Sequence, residues 1–141
     1  MNTVLVLDTN IVLDLLVFED SSTVRLKQGL ESGVLHWPAT PAMREEFERV
    51  LAYPQIVPWL QSPGKTQEGL LGEFDRLSRI APEPPLPAPA RTRCSDPDDQ
   101  KFIDLALAHK AFLLSKDRAV LRLRKRLAPF GVMVQNAWEQ A

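Results

Sequence analysis

The segment Thr3–Leu7 most narrows the folds open to this chain. Its last four residues are all apolar and consist of valine and leucine alone. A strand with one face in water alternates apolar and polar residues, whereas an unbroken apolar run is typical of a strand buried on both faces. Because such strands occur mainly in parallel sheets covered by helices, the segment predicts an α/β protein.

Helix and strand signals alternate along the rest of the chain. Capping residues, apolar periodicity and proline or glycine breaks predict six helices. In chain order, they run from Thr9 or Asn10 to about Phe18, from Ser22 to Leu30 with a stop at Gly33, from Pro41 to Leu51, from Thr66 to Arg79, from Pro97 to His109 and from Arg118 to Leu127. Short strands are predicted from Val34 to Trp37, ended by Pro38, from Ala111 to Leu114 and from Gly131 to Val134, before a short terminal helix. This alternation predicts one α/β domain over residues 1–141.

Residues 82–89 are rich in proline, and the segment 58–72 carries no recognisable motif. A proline-dense stretch is stiff and extended, so it can serve as an interdomain spacer, a PxxP ligand or a loop. No internal repeat and no second biased segment accompany it. We therefore interpret it as a loop that crosses one edge of a single sheet.

The 141 residues have a globular composition, with 45% apolar and 25% charged residues. Asp8 and Asp14 interrupt the first apolar segments and no basic region precedes them, so we expect neither a signal peptide nor a membrane span. Cys94 is the single cysteine, which excludes an internal disulfide and a structural zinc site and predicts a cytoplasmic protein. The net charge of −1 excludes a uniformly basic nucleic-acid binder but leaves room for a local basic surface.

Two aspartates follow strands of the predicted sheet. Asp8 comes directly after the first strand, and Asp117 lies shortly after the strand from Ala111 to Leu114. Binding sites in open parallel sheets lie outside the carboxyl ends of the strands, and right-handed crossovers bring those ends to one edge. We therefore expect Asp8 and Asp117 to lie close together.

Two helices are predicted to turn one acid each toward the core. At about 100° per residue, Glu46 flanks the apolar face of its helix, whereas Glu45 points away. In the helix that begins at Pro97, Asp99 lies on the apolar side and Asp104 on the opposite side. Glu46 and Asp99 therefore join the two strand-end aspartates as candidate site residues.

Each of these acids alone has a structural explanation. Asp8 could cap the first helix, Asp117 could start a turn, and Asp96 with Pro97 and Asp99 resembles a capping box. Four carboxylates at one edge, however, repel one another and raise one another's pKa unless a cation neutralises them. Oxygen ligands without a thiolate or a nearby histidine favour Mg²⁺ or Mn²⁺, which suit phosphodiester hydrolysis by a metal-activated water.

Four sequence blocks at these residues resemble the PIN-domain family, and within it the VapC-like nucleases of bacterial toxin–antitoxin systems. In chain order, the blocks are Val6-Leu7-Asp8-Thr9-Asn10, Thr40-Pro41-Ala42-Met43-Arg44-Glu45-Glu46 with Val50-Leu51, Asp96-Pro97-Asp98-Asp99 with Lys101-Phe102, and Leu114-Ser115-Lys116-Asp117. The resemblance runs nearly from end to end, and the order of the blocks makes it specific.

The resemblance implies a three-layer α/β/α sandwich around a central parallel sheet. It implies a metal-dependent ribonuclease site whose catalytic and metal-binding residues are Asp8, Glu46, Asp99 and Asp117, with Mg²⁺ or Mn²⁺ as cofactor. Supporting roles are implied for Asn10, for Asp96 as an outer acid, and for Ser115, which stands where the family more often has threonine. Because three aspartates crowd positions 96–99, Asp96 or Asp98 could replace Asp99 as the third ligand.

A basic flank is predicted beside the acids. Arg118, Arg122, Lys125 and Arg126 recur at helical spacing and could contact RNA phosphates, although a solvated helix face needs no such role. No sequence signal pairs His36 with His109, so a two-histidine ribonuclease mechanism has little support. No site role is assigned to Cys94 or to the tryptophans Trp37, Trp59 and Trp138.

The leading hypothesis is a metal-dependent endoribonuclease, the toxin of a toxin–antitoxin pair. One alternative is a Mg²⁺-dependent phosphatase-like enzyme, which is disfavoured because Asn10 stands where such enzymes carry a second acid and because no glycine-rich phosphate loop is present. Another is a non-catalytic PIN-like module that binds RNA or protein, which the loss of an acid would signal. The expected partners are RNA, a cognate antitoxin and a second copy of the chain, with apolar contact surface supplied by Leu15, Leu16, Val17 and Phe18.

Overall fold

Five parallel strands form a sheet in this computed structural model, which describes residues 3–63, 65–85 and 89–139. The strands are β1 (Thr3–Leu7), β2 (Leu35–Ala39), β3 (Ser78–Ile80), β4 (Phe112–Leu114) and β5 (Met133–Gln135). The helices are α1 (Thr9–Leu16), α2 (Val24–Ser32), α3 (Pro41–Leu51), α4 (Gln67–Leu77), α5 (Gln100–His109), α6 (Arg118–Leu121) and α7 (Arg124–Leu127). Within these ranges, each helix is too short or too polar to span a membrane.

The strand order in the sheet is β3-β2-β1-β4-β5, and every neighbouring pair is parallel. Parallel neighbours need crossover connections, and the crossover helices flank the sheet to give a three-layer α/β/α sandwich. The predicted fold class is therefore confirmed. β1 is the central strand, and its residues Leu5, Val6 and Leu7 are at most 1% exposed.

Three buried aromatic rings fasten α3 and α4 to the sheet. The ring of Phe74 in α4 stacks on Phe47 in α3 at 5.4 Å and meets Trp37 in β2 edge to face at 4.7 Å. All three side chains are at most 2% exposed. Because Phe47 directly follows Glu46 in the chain, this packing fixes the part of α3 that carries a candidate site residue.

The predicted end of the second strand at Pro38 is wrong. β2 continues through Pro38 to Ala39, where the Ala39 carbonyl accepts a hydrogen bond from the backbone N–H of Ala81 at 2.9 Å. Proline removes only its own donor, so its neighbours still pair. The proline-rich stretch then follows β3, which lies at one edge of the sheet, and its residues 86–88 lie outside the described residues.

The helix predicted to reach Arg79 ends at Leu77, and an unpredicted strand begins at once. Ser78 has an extended backbone, and its hydroxyl donates to the Phe74 carbonyl at 2.6 Å. The same carbonyl also accepts the backbone N–H of Ser78, so both donors of Ser78 close the last turn of α4. Residues Ser78–Ile80 are then free to pair with Trp37–Ala39 of β2.

Two predictions in the last third of the chain are also wrong. The single helix over 118–127 is broken into α6 and α7, since the N–H of Leu123 bonds the carbonyl of Val120 in a tighter turn. The terminal helix does not form within residues 136–139. Trp138 is instead buried, with its ring edge to face on Phe112 at 5.0 Å.

The apolar end of α1 belongs to the core, which corrects its predicted role as contact surface. Leu15, Leu16 and Val17 are at most 5% exposed, because α2, α3 and α4 all pack against α1. Phe18 alone is half-buried, and its ring meets the exposed ring of Trp59 at 4.8 Å.

Substitution of Phe74 by alanine tests the aromatic anchor. We expect Phe74→Ala to lower the free energy of unfolding by about 3–5 kcal/mol, because it opens a cavity between α3, α4 and β2. The measurement is urea unfolding followed by circular dichroism. Tyr53→Ala removes an aromatic ring that is 45% exposed and should cost less than about 1 kcal/mol. Equal losses in the two variants would contradict the anchor.

Candidate functional site

The carboxyl ends of β1 and β4 lie side by side and carry the first acids of the site. Leu7 pairs with Leu114, and the backbone N–H of Asp8 continues the ladder by donating to the Leu114 carbonyl at 2.9 Å. Asp117 follows a short turn after the end of β4. The two strand-end aspartates thus reach the same edge of the sheet.

Asp8 is held by hydrogen bonds on both carboxylate oxygens. Its Oδ1 accepts the backbone N–H of Thr9 at 2.6 Å, which makes Asp8 the N-cap of α1, the structural role considered for it above, rather than Thr9 or Asn10. Its Oδ2 accepts the hydroxyl of Ser115 at 2.6 Å. Burial nevertheless raises the pKa of Asp8 to about 6, with the charges of Glu46 and Asp117 adding to the effect.

Ser115 links the acids of the two strands. Its side chain is fully buried, and its Oγ both donates to Asp8 and accepts the backbone N–H of Asp117 at 3.0 Å. The backbone N–H of Ser115 donates to the Gln135 carbonyl of β5 at 2.9 Å. A single hydroxyl therefore orients one carboxylate and fixes the turn that carries the other.

Three carboxylates form a compact group beside Asp8. Asp96, Asp99 and Asp117 each offer an oxygen, and these oxygens lie within 4.8 Å of one another. Asp96 accepts the backbone N–H of Asp98 at 3.0 Å and so caps the 3₁₀ turn that precedes α5. Asp117 likewise caps α6 by accepting the N–H of Ala119 at 2.8 Å. These capping bonds fix the carboxylates of Asp96 and Asp117.

Asp99 is the most buried member of this group. It is 8% exposed, and its buried Oδ2 has no hydrogen-bond partner among the residues that the structure describes. Burial, together with the charges of Asp8 and Asp117, raises the pKa of Asp99 to about 7. An unpartnered carboxylate oxygen beside other carboxylates fits a hard divalent cation such as Mg²⁺ or Mn²⁺.

Glu46 reaches the same edge from α3, but both of its oxygens have donors. The hydroxyl of Thr9 donates to Oε2, and the ammonium of Lys101 lies 2.6 Å from Oε1. Glu46 is not part of the three-carboxylate group, although its charge contributes to the raised pKa of Asp8. We call the five residues Asp8, Glu46, Asp96, Asp99 and Asp117 the acidic cluster.

Thr9 and Lys101 are two residues whose part in the site the sequence analysis missed. Both stand in the sequence blocks that carry the family resemblance, yet neither was given a role. The sequence carries an electrostatic signal for Lys101. Acids that lie close together need a neighbouring positive charge, and Lys101 is two positions from Asp99. A wheel projection of one helix cannot show a contact with another helix.

Asn10 and Asp98 lie beside the acidic cluster. The side-chain oxygen of Asn10 accepts the backbone N–H of Lys116 at 3.3 Å, so Asn10 braces the turn between β4 and α6. Asp98 is exposed and lies outside the three-carboxylate group. The identity of the third ligand stays a prediction. Asp96 and Asp99 lie together in the three-carboxylate group, whereas Asp98 lies apart from them.

The predicted basic residues are exposed. Arg118 and Arg122 lie in α6 or directly after it, and Lys125 and Arg126 lie in α7. Because the helix is broken between them, the spacing of one continuous helix no longer describes their arrangement. Their contact with RNA stays a prediction.

Cys94 and the histidines remain outside the acidic cluster. Burial raises the pKa of the Cys94 thiol, and the charges of Asp99 and Asp117 add to this, so the thiolate needed for nucleophilic attack is disfavoured. His36 lies in β2, and His109 is the last residue of α5.

Comparison with known proteins gives one family match and a structural likeness. Residues 4–119 match the PIN domain family, a range that contains the whole acidic cluster. No curated protein matches the sequence. A chain from the crystal structure of VapBC2 from Rickettsia felis, bound to a DNA fragment from their promoter, is similar with a TM-score of 0.63 at 12% sequence identity. The likeness covers 96% of this chain and 100% of that chain, and it shows a shared fold.

The raised pKa values predict an unusual pH dependence of the metal-free protein. Asp8 and Asp99 bind protons more tightly in the folded chain than in the unfolded chain, so the free energy of unfolding falls as these protons are lost. Between about pH 5 and 7 we expect a loss of roughly 2 kcal/mol in urea unfolding with chelator present.

Two variants identify the source of this pH dependence. Asp99→Asn should make the profile shallower because its amide does not titrate, leaving the part that comes from Asp8, whereas Asp104→Asn, on α5 and bonded to Gln100, should keep the full profile. Paired surface acids such as Glu31 have a lowered pKa and act in the opposite sense only at lower pH. A free energy of unfolding that rises over this window would contradict the assignment.

Proposed function

Because this chain belongs to the PIN-domain family, we propose that it is a metal-dependent endoribonuclease whose acidic cluster binds Mg²⁺ or Mn²⁺. One observation carries the proposal. The buried Oδ2 of Asp99 lacks a hydrogen-bond partner within the described part of the chain, and it belongs to a carboxylate that lies with Asp96 and Asp117. Burying acids in this way is costly unless a cation offsets their repulsion.

The residues that would hold the ion are those of the three-carboxylate group, with Asp8 and Glu46 beside them. Ser115 and Thr9 orient the Asp8 carboxylate, and the caps at Asp96 and Asp117 fix the flanking acids. A bound divalent cation supplies the activation of water and the neutralisation of charge that develops on the phosphate. Asp8 and Asp99 release protons when a cation binds, so we expect the affinity for the metal to rise with pH.

The basic residues beside Asp117 favour a nucleic-acid substrate. Arg118 is exposed and directly follows an acid of the cluster, and Arg122, Lys125 and Arg126 are exposed farther along the same segment. Cations at these positions would pair with backbone phosphates and give binding that weakens with salt. We propose that they hold single-stranded RNA across the acidic cluster.

We further propose that the chain is the toxin of a toxin–antitoxin pair. The support is the VapC-like order of its sequence blocks and the fold it shares with a chain of the VapBC2 structure. Tyr53, Val57 and Trp59 are each at least 45% exposed and offer apolar surface for an antitoxin segment. Homodimerisation stays a prediction.

Cleavage of RNA tests the nuclease proposal directly. Labelled single-stranded RNA is incubated with the purified protein in Mg²⁺, in Mn²⁺ or in chelator. We expect metal-dependent cleavage that falls at least about 100-fold in Asp99→Asn, because the amide cannot supply the anionic ligand. Asp98→Asn, a change at the exposed neighbour, should stay within about twofold of the wild type. In α3, Glu46→Gln is a second test variant, and Glu45→Gln is its matched control.

Distinct outcomes separate the alternatives. Loss of cleavage in Asp98→Asn, with cleavage retained in Asp99→Asn, would identify Asp98 as the third ligand. If the folded protein cuts no RNA and binds no Mn²⁺ in calorimetry, the nuclease proposal fails and a non-catalytic binding module remains. Binding of Mn²⁺ together with release of phosphate from a phosphomonoester, without RNA cleavage, would favour the phosphatase alternative.

Controlled expression in bacteria tests the toxin proposal. Induction of the wild-type chain should arrest growth, whereas Asp99→Asn should not, because arrest depends on the intact acidic cluster. Asp98→Asn serves as the expression-matched control and should still arrest growth. Co-expression of the neighbouring reading frame should restore growth if it encodes the antitoxin. Arrest of equal strength by Asp99→Asn would show that toxicity does not come from the proposed site.

A further inference from the structure

Lys101 contacts the acidic cluster, but the proposed chemistry gives it no role. Its ammonium lies 2.6 Å from Oε1 of Glu46 and 2.6 Å from the backbone carbonyl of Asp98. The side chains of Lys101 and Glu46 are only 22% and 16% exposed. A charge-assisted contact with so little solvent around it is stronger than an ordinary surface ion pair.

Lys101 also supplies the one ion pair to the acidic cluster among the residues of the described ranges. The other nearby lysine, Lys116, pairs with Asp14 of α1 at 2.6 Å instead. Asp8, Asp96, Asp99 and Asp117 therefore face one another without a side-chain cation. Glu46 is the one acid of the cluster whose charge the protein itself neutralises.

A divalent cation and the Lys101 ammonium compete for the same carboxylate. Thr9 occupies Oε2 of Glu46 and Lys101 occupies Oε1, so an ion that approaches Glu46 meets a positive charge on that oxygen. Like charges that close repel strongly where little water screens them. The ion can use Glu46 only after the ammonium has moved away.

We propose that Lys101 is the internal counter-ion of the metal-free acidic cluster and that a divalent cation displaces its ammonium from Glu46. Lys101 is thus a positioning residue that sets the affinity for the metal. This inference rests on the proposed function, because it takes the acidic cluster to be a metal site.

Calorimetric titration of the full-length chain with Mn²⁺ tests the proposal. We expect Lys101→Met to bind Mn²⁺ about tenfold more tightly than the wild type, because the competing charge is gone. The metal-free variant should melt at a lower temperature than the wild type, and added Mn²⁺ should raise its melting temperature by a larger amount. Lys101→Arg, which keeps the charge, should bind Mn²⁺ within about twofold of the wild type.

Lys110, at the end of the same helix, provides the matched control. It is exposed and directly follows the last residue of α5, nine positions from Lys101, which corresponds to about 14 Å along the helix axis. Lys110→Met removes the same charge and should leave the Mn²⁺ affinity unchanged. Should Lys101→Met fail to fold, Lys101→Gln removes the charge but keeps a donor for the Asp98 carbonyl, and it should also bind Mn²⁺ more tightly.

A double-mutant cycle with Glu46→Gln separates exchange at Glu46 from a general effect of charge. If Lys101 competes for that carboxylate, Lys101→Met should no longer tighten Mn²⁺ binding in the Glu46→Gln background. A gain of the same size in both backgrounds would overturn the exchange.

The outcomes also distinguish this inference from the proposed function. Equal or weaker Mn²⁺ binding by Lys101→Met, in a wild type that binds Mn²⁺, overturns the inference alone. Absence of Mn²⁺ binding in both proteins overturns the inference and the metal site together. Mn²⁺ binding by Lys101→Met, with none by the wild type, supports the exchange of the ammonium for the cation at Glu46.

Discussion

The parallel pairing of β1 with β4 holds carboxylates close together against their electrostatic repulsion. The ladder from Leu5 to Leu7 continues into the backbone N–H of Asp8, so the first acid of the cluster is placed by main-chain hydrogen bonds. Ser115 extends this control to a side chain by donating to Asp8 and accepting from the N–H of Asp117. The raised pKa of Asp8 is the electrostatic consequence of this placement, since the fold keeps the carboxylate buried whatever its charge.

Helix packing supplies the remaining acids. Phe47 stacks on Phe74, whose ring also meets Trp37 of β2, and this packing brings Glu46 of α3 to the sheet edge. A capped turn before α5 positions Asp99. The two helices meet through the contact between Lys101 and Glu46. This arrangement is costly for the fold, because it buries carboxylates that repel one another.

Local patterns made much of the fold predictable. The apolar run of β1, the cap at Thr40 and the stop at Gly33 depend on neighbouring residues alone, and the structure contains each of them. β3 was missed because only pairing with β2 makes Ser78–Ile80 a strand. The apolar residues after Asp14 were assigned to the surface because the covering helices cannot be inferred from one helix.

The distance along the chain between Asp8 and Ser115 has a consequence for synthesis. These residues form a side-chain hydrogen bond although 107 positions separate them. On the ribosome, β1 emerges before β4, so the edge of β1 that receives β4 stays unpaired until residues 112–114 have been made. The carboxylates of the acidic cluster therefore cannot assemble until the segment that carries Asp117 has left the ribosome, and until then the buried position of Asp8 does not exist.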